Sequence, residues 1–233
     1  MSNNIYFYVL NTPIGNLKDI SFRFVNIMYH MDVILTENKM NILKIFKHLG
    51  IEAASKIVIS IRSFKHKNII NKIKRYLYQG FYVALCSDAG MPVINDPGNC
   101  LINDIRLDNT LPMEIVQGPS SLITSIISSG LICNRFVFAG FLPDQNNKRM
   151  FIIRNAFASG MALVVYDTPN NINRTLSDIR IHYGFSRVVI ARELTKIYET
   201  FHYGILGKFI HPHLFYKGEM VILVEHSISL RSL

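Results

Sequence analysis

Residues 87–98, SDAGMPVINDPG, follow the apolar run FYVAL and place two glycines, two prolines and two aspartates in one turn. Loops of this composition hold small molecules, because glycine lets the main chain approach a ligand closely and proline fixes its path. A tight connection with no ligand has the same composition. A second stretch, NTPIGNL at 11–17, has one glycine, and neither the G-x-G-x-x-G fingerprint nor a P-loop occurs in the chain. Nicotinamide and nucleoside-triphosphate chemistry are therefore disfavoured, and a small ligand without a pyrophosphate fits these loops better. ARELTK at 191–196 groups Arg192, Glu193 and Lys196, either an acid–base and anion-clamping set or an ordinary salt-bridge cluster. The stretch RSFKHKNIINKIKRYLYQG carries Arg62, Lys65, Lys67, Lys72, Lys74 and Arg75. Ile69, Ile70, Ile73 and Leu77 recur there at helical spacing, so the basic residues form the outer face of an amphipathic helix. That face is either simply solvated or a track for phosphates.

The elements that must position these stretches alternate in type. IYFYVL, DVILTE, KIVIS, FYVALC and MEIVQG read as strands, with helices near 19–30, 39–49, 66–79 and 98–107. RFVFAGF, MALVVYDT, RVVIARE and EMVILVE form a second series, with helices near 147–159 and 170–183. The pattern predicts an α/β fold of two units, 1–117 and 118–233, joined too tightly for a flexible linker. In open α/β sheets ligands sit beyond the carboxyl ends of strands. The stretches above, together with TEN (36–38), QGPSS (117–121) and YDTPNN (166–171), all follow strands.

Composition narrows the class. The chain has 233 residues, 49% of them apolar, enough for a sizeable core. No apolar run is long enough for a membrane helix, and the odd count of three cysteines lacks metal-ligand spacing, so no disulfide framework or metal site is expected. These features predict a soluble, cytoplasmic protein. A formal charge of +9 favours polyanions without naming one.

Taken in order, TPIGNL, SDAGMPVINDPG, GPSS, GFLP (140–143), RELTK and KGEMVILVE (217–225) resemble the ribosomal small-subunit RNA 2'-O-methyltransferase I family. That family belongs to the tetrapyrrole methylase superfamily, the class III S-adenosylmethionine methyltransferases. The resemblance spans roughly residues 5–225. It implies two α/β domains with S-adenosylmethionine in the cleft between them, a homodimer, and methylation of a cytidine ribose in the decoding region of 16S ribosomal RNA. By this resemblance Pro13, Gly15, Asp88, Ala89, Gly90, Ile94, Ser120, Ser121 and Tyr166 contact the cofactor. Gly90 would admit close main-chain contact, and Ser120 and Ser121 would open a helix whose free N–H groups receive the methionine carboxylate. Ser120 is equally suited to a plain N-cap, and a strand-end tyrosine such as Tyr166 is also common in cores. Glu37, Glu193 and Lys196 are the catalytic candidates, as base or as cation beside the developing alkoxide. Arg192 is a phosphate or carboxylate clamp, and Lys65, Lys67 and Arg75 are phosphate contacts.

The sequence departs from the family where substrate is handled. The family's Glu-Asp-Thr-Arg becomes ENKM, which keeps Glu37 but has Asn38 and Met40 in place of a carboxylate and a guanidinium. Its Tyr-Glu-Ser-x-His-Arg becomes YDTPNN, and RSFKH replaces a histidine- and asparagine-rich segment. Two other readings stand beside an RNA methyltransferase: a methylase of a tetrapyrrole or other small molecule, and a non-catalytic relative that binds RNA or ribosomes.

Overall fold

The runs VILT at 33–36 and VALC at 83–86 are buried on both faces because helices cover both sides of their sheet. A computed structural model describes residues 7–61, 66–95, 98–108, 111–208 and 217–226, with backbone alone at 66 and 67. Two compact units result, Met1–Ser120 and Ser121–Leu233. The division falls three residues beyond the expected 117/118, because Gly118 and Pro119 pack against Asn11 of the first unit.

In the first unit β1 (Phe7–Leu10), α1 (Phe22–His30), β2 (Val33–Thr36), α2 (Lys39–Leu49), β3 (Ile57–Ser60), α3 (His66–Tyr78), β4 (Val83–Cys86), α4 (Asn99–Arg106) and β5 (Met113–Val116) alternate. The strands pair in parallel in the order β3-β2-β4-β1-β5. Side chains alternate across a strand, so parity assigns each residue a face. Phe7, Val9, Val33, Leu35, Val83 and Leu85 pack with Ile69, Ile73 and Leu77 of α3 and with Ile105 of α4. Leu10, Ile34, Ala84 and Cys86 pack with Phe24 and Met28 of α1 and Ile42, Ile45 and Phe46 of α2. The chain thus leaves β2 toward one edge of the sheet and leaves its neighbour β4 toward the other. Between two such strands a crevice opens at the carboxyl ends, the position where open α/β sheets take ligands.

The second unit holds α5 (Ser121–Ser129), β6 (Phe136–Phe141), α6 (Asn146–Ala158), β7 (Ala162–Asp167), α7 (Ile172–Tyr183), β8 (Arg187–Arg192), β9 (Thr200–Ile205) and β10 (Met220–Val224). Its order is β6-β7-β10-β8-β9, parallel only between β6 and β7. Leu163, Val165, Val188, Ile190 and Ile222 form the core beneath α6 and α7, and α5 lies against β10 and β8.

A buried ion pair joins the two helices of that core. Arg149 of α6 is 2% exposed, and its Nε donates to Asp178 Oδ2 at 2.6 Å while a terminal nitrogen donates to Thr175 Oγ1 at 2.6 Å. Removing the carboxylate takes the directly bonded counter-charge from a buried guanidinium, which costs about 3 kcal/mol. Asp178→Ala is therefore expected to lower stability by about 3 kcal/mol in urea denaturation, whereas an unchanged midpoint would show that solvent already screens the pair.

Candidate active site

The loops after β1, β2, β4 and β5 are tied together at the carboxyl edge of the first sheet. Thr12 and Gly90 exchange main-chain hydrogen bonds, each 3.0 Å. The Thr12 hydroxyl bonds to Ser87 O at 3.2 Å, and the Ser87 hydroxyl donates to Gly90 O at 2.5 Å. Asn11 Nδ2 donates to Pro119 O at 2.9 Å, and a Cβ at Gly118 would lie 2.8 Å from Asn11 Cγ. Asp88 Oδ1 accepts the main-chain N–H of Asn38 at 3.0 Å, while Asn38 Oδ1 caps α2 through Met40 N. Asn38 stands where the family has an aspartate; here it starts a helix.

The sequence-predicted cofactor residues of this unit share that edge. Pro13 is buried, Gly15 and Ala89 are exposed and Asp88 is half-buried. Gly90 is buried at φ +80, a conformation glycine adopts without strain. Its close main-chain neighbour in the structure is Thr12, which takes both its N–H and its carbonyl. Val93 follows at φ +79, an outlier for a β-branched residue, and Asn95 lies at φ +63. This bend turns Ile94 outward, 43% exposed. Asp96 and Pro97 lie outside the described residues. Glu37, 5% exposed, follows β2 beside the Asn38–Asp88 contact, and its carbonyl accepts Ser60 Oγ at 2.8 Å.

A carboxylate, an exposed isoleucine and a strained loop at the crevice suit a small zwitterionic ligand with an amino group and an apolar body. Asn11 adds to this fit: its Oδ1 is buried and accepts no hydrogen bond from any described residue. The sequence alone assigns Asn11 and Ser87 no role, because their significance comes from distant partners: Gly118 and Pro119 for Asn11, and Thr12, 75 positions away, for Ser87.

The second unit gathers its own set. The Ser121 and Tyr166 hydroxyls are 2.9 Å apart, and Phe138 and Phe141 meet the Tyr166 ring edge-on. Ser120, half-buried, ends the first unit. Asp167 and Arg192 both register with Met220, so β7 and β8 end at the same edge, about 10 Å apart. Glu193 Oε1 accepts Lys196 Nζ at 3.0 Å and Glu219 N at 2.9 Å, and Lys196 also reaches Glu219 Oε2 at 3.0 Å. Arg192 Nε donates to Lys217 O at 2.7 Å. Burial alone would push the Glu193 carboxyl up, but the Glu219 N–H and the Lys196 ammonium outweigh it and hold it below its ordinary value. Burial would likewise lower Lys196, but its bonds to Glu193 and Glu219 outweigh that and hold it above its ordinary value. Both groups are thus fixed in their charged forms, and Glu193 is a weak proton acceptor with one oxygen already taking two donors.

A pH dependence follows. Because the folded pKa of Glu193 is depressed, its contribution to stability is present above the ordinary glutamate pKa and is lost as pH falls through the folded value. Acidification is expected to lower the hydrogen-exchange protection of the Glu193 and Glu219 amides, which bond to each other's strand end, before the core opens. Protection that persists in acid would mean that the carboxylate does not hold this turn.

Arg75 is exposed on α3, where Lys74 is held by Asp108 at 2.8 Å. Lys65 and the Lys67 side chain lie outside the described residues. Among the described residues no group of three metal-ligating side chains occurs, and no helix is long and apolar enough to cross a membrane.

The comparisons with known proteins agree with this geometry. The family described as Tetrapyrrole (Corrin/Porphyrin) Methylases matches residues 6–209. The chain is 35% identical over 220 residues to Ribosomal RNA small subunit methyltransferase I of Coprothermobacter proteolyticus, covering 94% of this chain and 97% of that protein. The protein of that name from Thermotoga maritima is 34% identical over 202 residues, covering 87% and 89%. Among solved structures, the methyltransferase CobJ superimposes with a TM-score of 0.73 at 13% identity, covering 95% of this chain and 94% of that one. Diphthine synthase does so with 0.72 at 17%, covering 94% and 89%. At these identities the structures share a fold. The chain therefore belongs to the tetrapyrrole methylase family and, within it, to the ribosomal RNA small subunit methyltransferase I group of S-adenosylmethionine-dependent methyltransferases.

Proposed function

We propose that this chain transfers a methyl group from S-adenosylmethionine to the ribose 2'-hydroxyl of a cytidine in the decoding region of small-subunit ribosomal RNA. The observation that carries the reading is the junction at the carboxyl ends of the neighbouring strands β2 and β4, where Asp88 of the 87–95 loop accepts the main-chain N–H of Asn38 next to Glu37. Asp88, Ala89, Gly90 and Ile94, with Pro13 and Gly15 on the facing loop, would hold the cofactor; Asn11 Oδ1 offers an acceptor for an amino group. Bound S-adenosylmethionine supplies an electrophilic sulfonium methyl. Holding the acceptor hydroxyl in line with it provides much of the rate. A ribose hydroxyl is weakly acidic, so a carboxylate that accepts its proton adds further. Glu37 suits that role better than Glu193, whose carboxylate is already committed to Lys196 and Glu219. Ser121 and Tyr166 hold each other in place, and Arg192 with Lys196 presents fixed positive charge for substrate. The reading includes a cytoplasmic homodimer, whose mass sedimentation equilibrium would give.

The test is incubation with methyl-labelled S-adenosylmethionine and small subunits lacking the modification, or the RNA extracted from them. Label in ribose of the RNA supports the reading. RNA binding without label means a non-catalytic relative, and label only in an added tetrapyrrole means a small-molecule methylase.

A further inference from the structure

α2 carries Lys39, Lys44, Lys47 and His48 and no acidic residue. Ile42, Ile45 and Phe46 are buried against the sheet, which leaves the basic residues on the exposed face. On a solvated helix an acid three or four positions from a base is stabilising and like charges at that spacing are not. α7 has a stabilising pair, with Arg174 and Asp178 3.7 Å apart. Among the described residues no carboxylate pairs with Lys39, Lys44 or Lys47, although Lys74, Arg149, Arg187 and Lys196 each have one. The arrangement also opposes the helix itself. Lys39 occupies the first helical position, where the positive end of the dipole disfavours a cation, and Lys44 faces Lys47 and His48 one turn on. A polyanion lying over the face would offset that repulsion. The face is also registered to the crevice, because the residue that caps α2, Asn38, is held by Asp88 at 3.0 Å and follows Glu37.

We propose that the exposed face of α2, Lys39, Lys44 and Lys47, is a phosphate-binding track for the RNA strand that carries the acceptor ribose. It runs from the crevice along the helix, about 16 Å for eleven residues. The proposal rests on the RNA reading above and is distinct from the α3 face. An anionic membrane is the poorer partner, since an interfacial helix buries its apolar face in lipid and that of α2 is buried in the sheet.

The test measures binding of protein-free small-subunit ribosomal RNA by the full chain across a salt series, for wild type and Lys44→Gln/Lys47→Gln. Each lost contact to single-stranded RNA flattens the slope of log K against log salt by about 0.7, so the double variant is expected to lose about 1.4 in slope and about tenfold in affinity at low salt. Its affinity for S-adenosylmethionine stays at the wild-type value, and its thermal midpoint does not fall, because removing like charges relieves the helix. An unchanged slope, with wild-type protein that methylates RNA, overturns the α2 track and leaves the function standing. Wild-type protein that places no label in RNA overturns the function and the track with it. Binding to phosphatidylserine vesicles that depends on the same lysines, with RNA binding untouched, assigns the face to a membrane instead.

Discussion

Gly90→Val is expected to show no heat of S-adenosylmethionine binding in a calorimetric titration that gives a clear isotherm for wild type. Gly90 sits at φ +80, and a Cβ there would lie 3.3 Å from Ile14 Cγ2, with Pro119 O at 3.8 Å. An L-residue in this conformation costs about 1–2 kcal/mol, and a β-branched one more. Relaxing φ to avoid the cost turns the Gly90 peptide and breaks the paired 3.0 Å bonds to Thr12, which join the β1 and β4 loops. Asp88 and Ile94 then lose the positions the bend gives them. Strain alone also lowers stability, so a control must separate the two effects. Gly80→Ala provides it: Gly80 lies at φ +86 with nothing within 4 Å of its Cβ position, in the turn between α3 and β4. It should lose about 1 kcal/mol in urea denaturation and keep its cofactor affinity. A folded Gly90→Val protein that binds the cofactor as wild type does would remove the 87–95 loop from the site.

The difference between these glycines also marks what sequence alone makes legible. Elements set by local chemistry are readable: α2 spans 39–49 as its spacing of Ile42, Ile45 and Phe46 demands, started by Asn38 and ended by Gly50 in the left-handed region. The nine strands foreseen all form, because each is a largely apolar run, continuous where β2, β4 and β10 are buried throughout. β9 leaves no such mark. TFHYGI is an edge strand, most of it partly exposed, and its pairing with β8 supplies the regularity that its side chains lack. The antiparallel pairing of β10 with β7 and β8 was equally invisible, since strand direction depends on connections and not on composition. For the site, the resemblance named the loops, but the contacts that join them did not follow from it. Gly90 to Thr12, Asp88 to Asn38 and Asn11 to Pro119 span 50 to 108 positions. The RELTK cluster shows the reverse. Its residue types allowed proton transfer, and only the geometry reveals Lys196 and the Glu219 N–H closing on one Glu193 oxygen.

That closure directs the second large effect to Glu37. Glu37→Gln keeps the side chain's size and removes its capacity to accept a proton. If Glu37 takes the proton of the ribose hydroxyl, the variant loses about 10²–10⁴-fold in the rate of methyl transfer at saturating substrate. Its affinity for the cofactor should be unchanged, because the main-chain features that place the β2 end stay intact: the Ser60 hydroxyl on the Glu37 carbonyl and Asp88 on the Asn38 N–H. Glu193→Gln provides the contrast. It breaks the Lys196 contact and loosens the turn after β8, yet it should keep more of the transfer rate than Glu37→Gln does. Glu37→Gln with cofactor affinity lost and rate per bound cofactor preserved would make the residue a binder. A rate within about tenfold of wild type would be a loss below the range of general base catalysis and show that positioning of the hydroxyl suffices without a carboxylate to receive its proton.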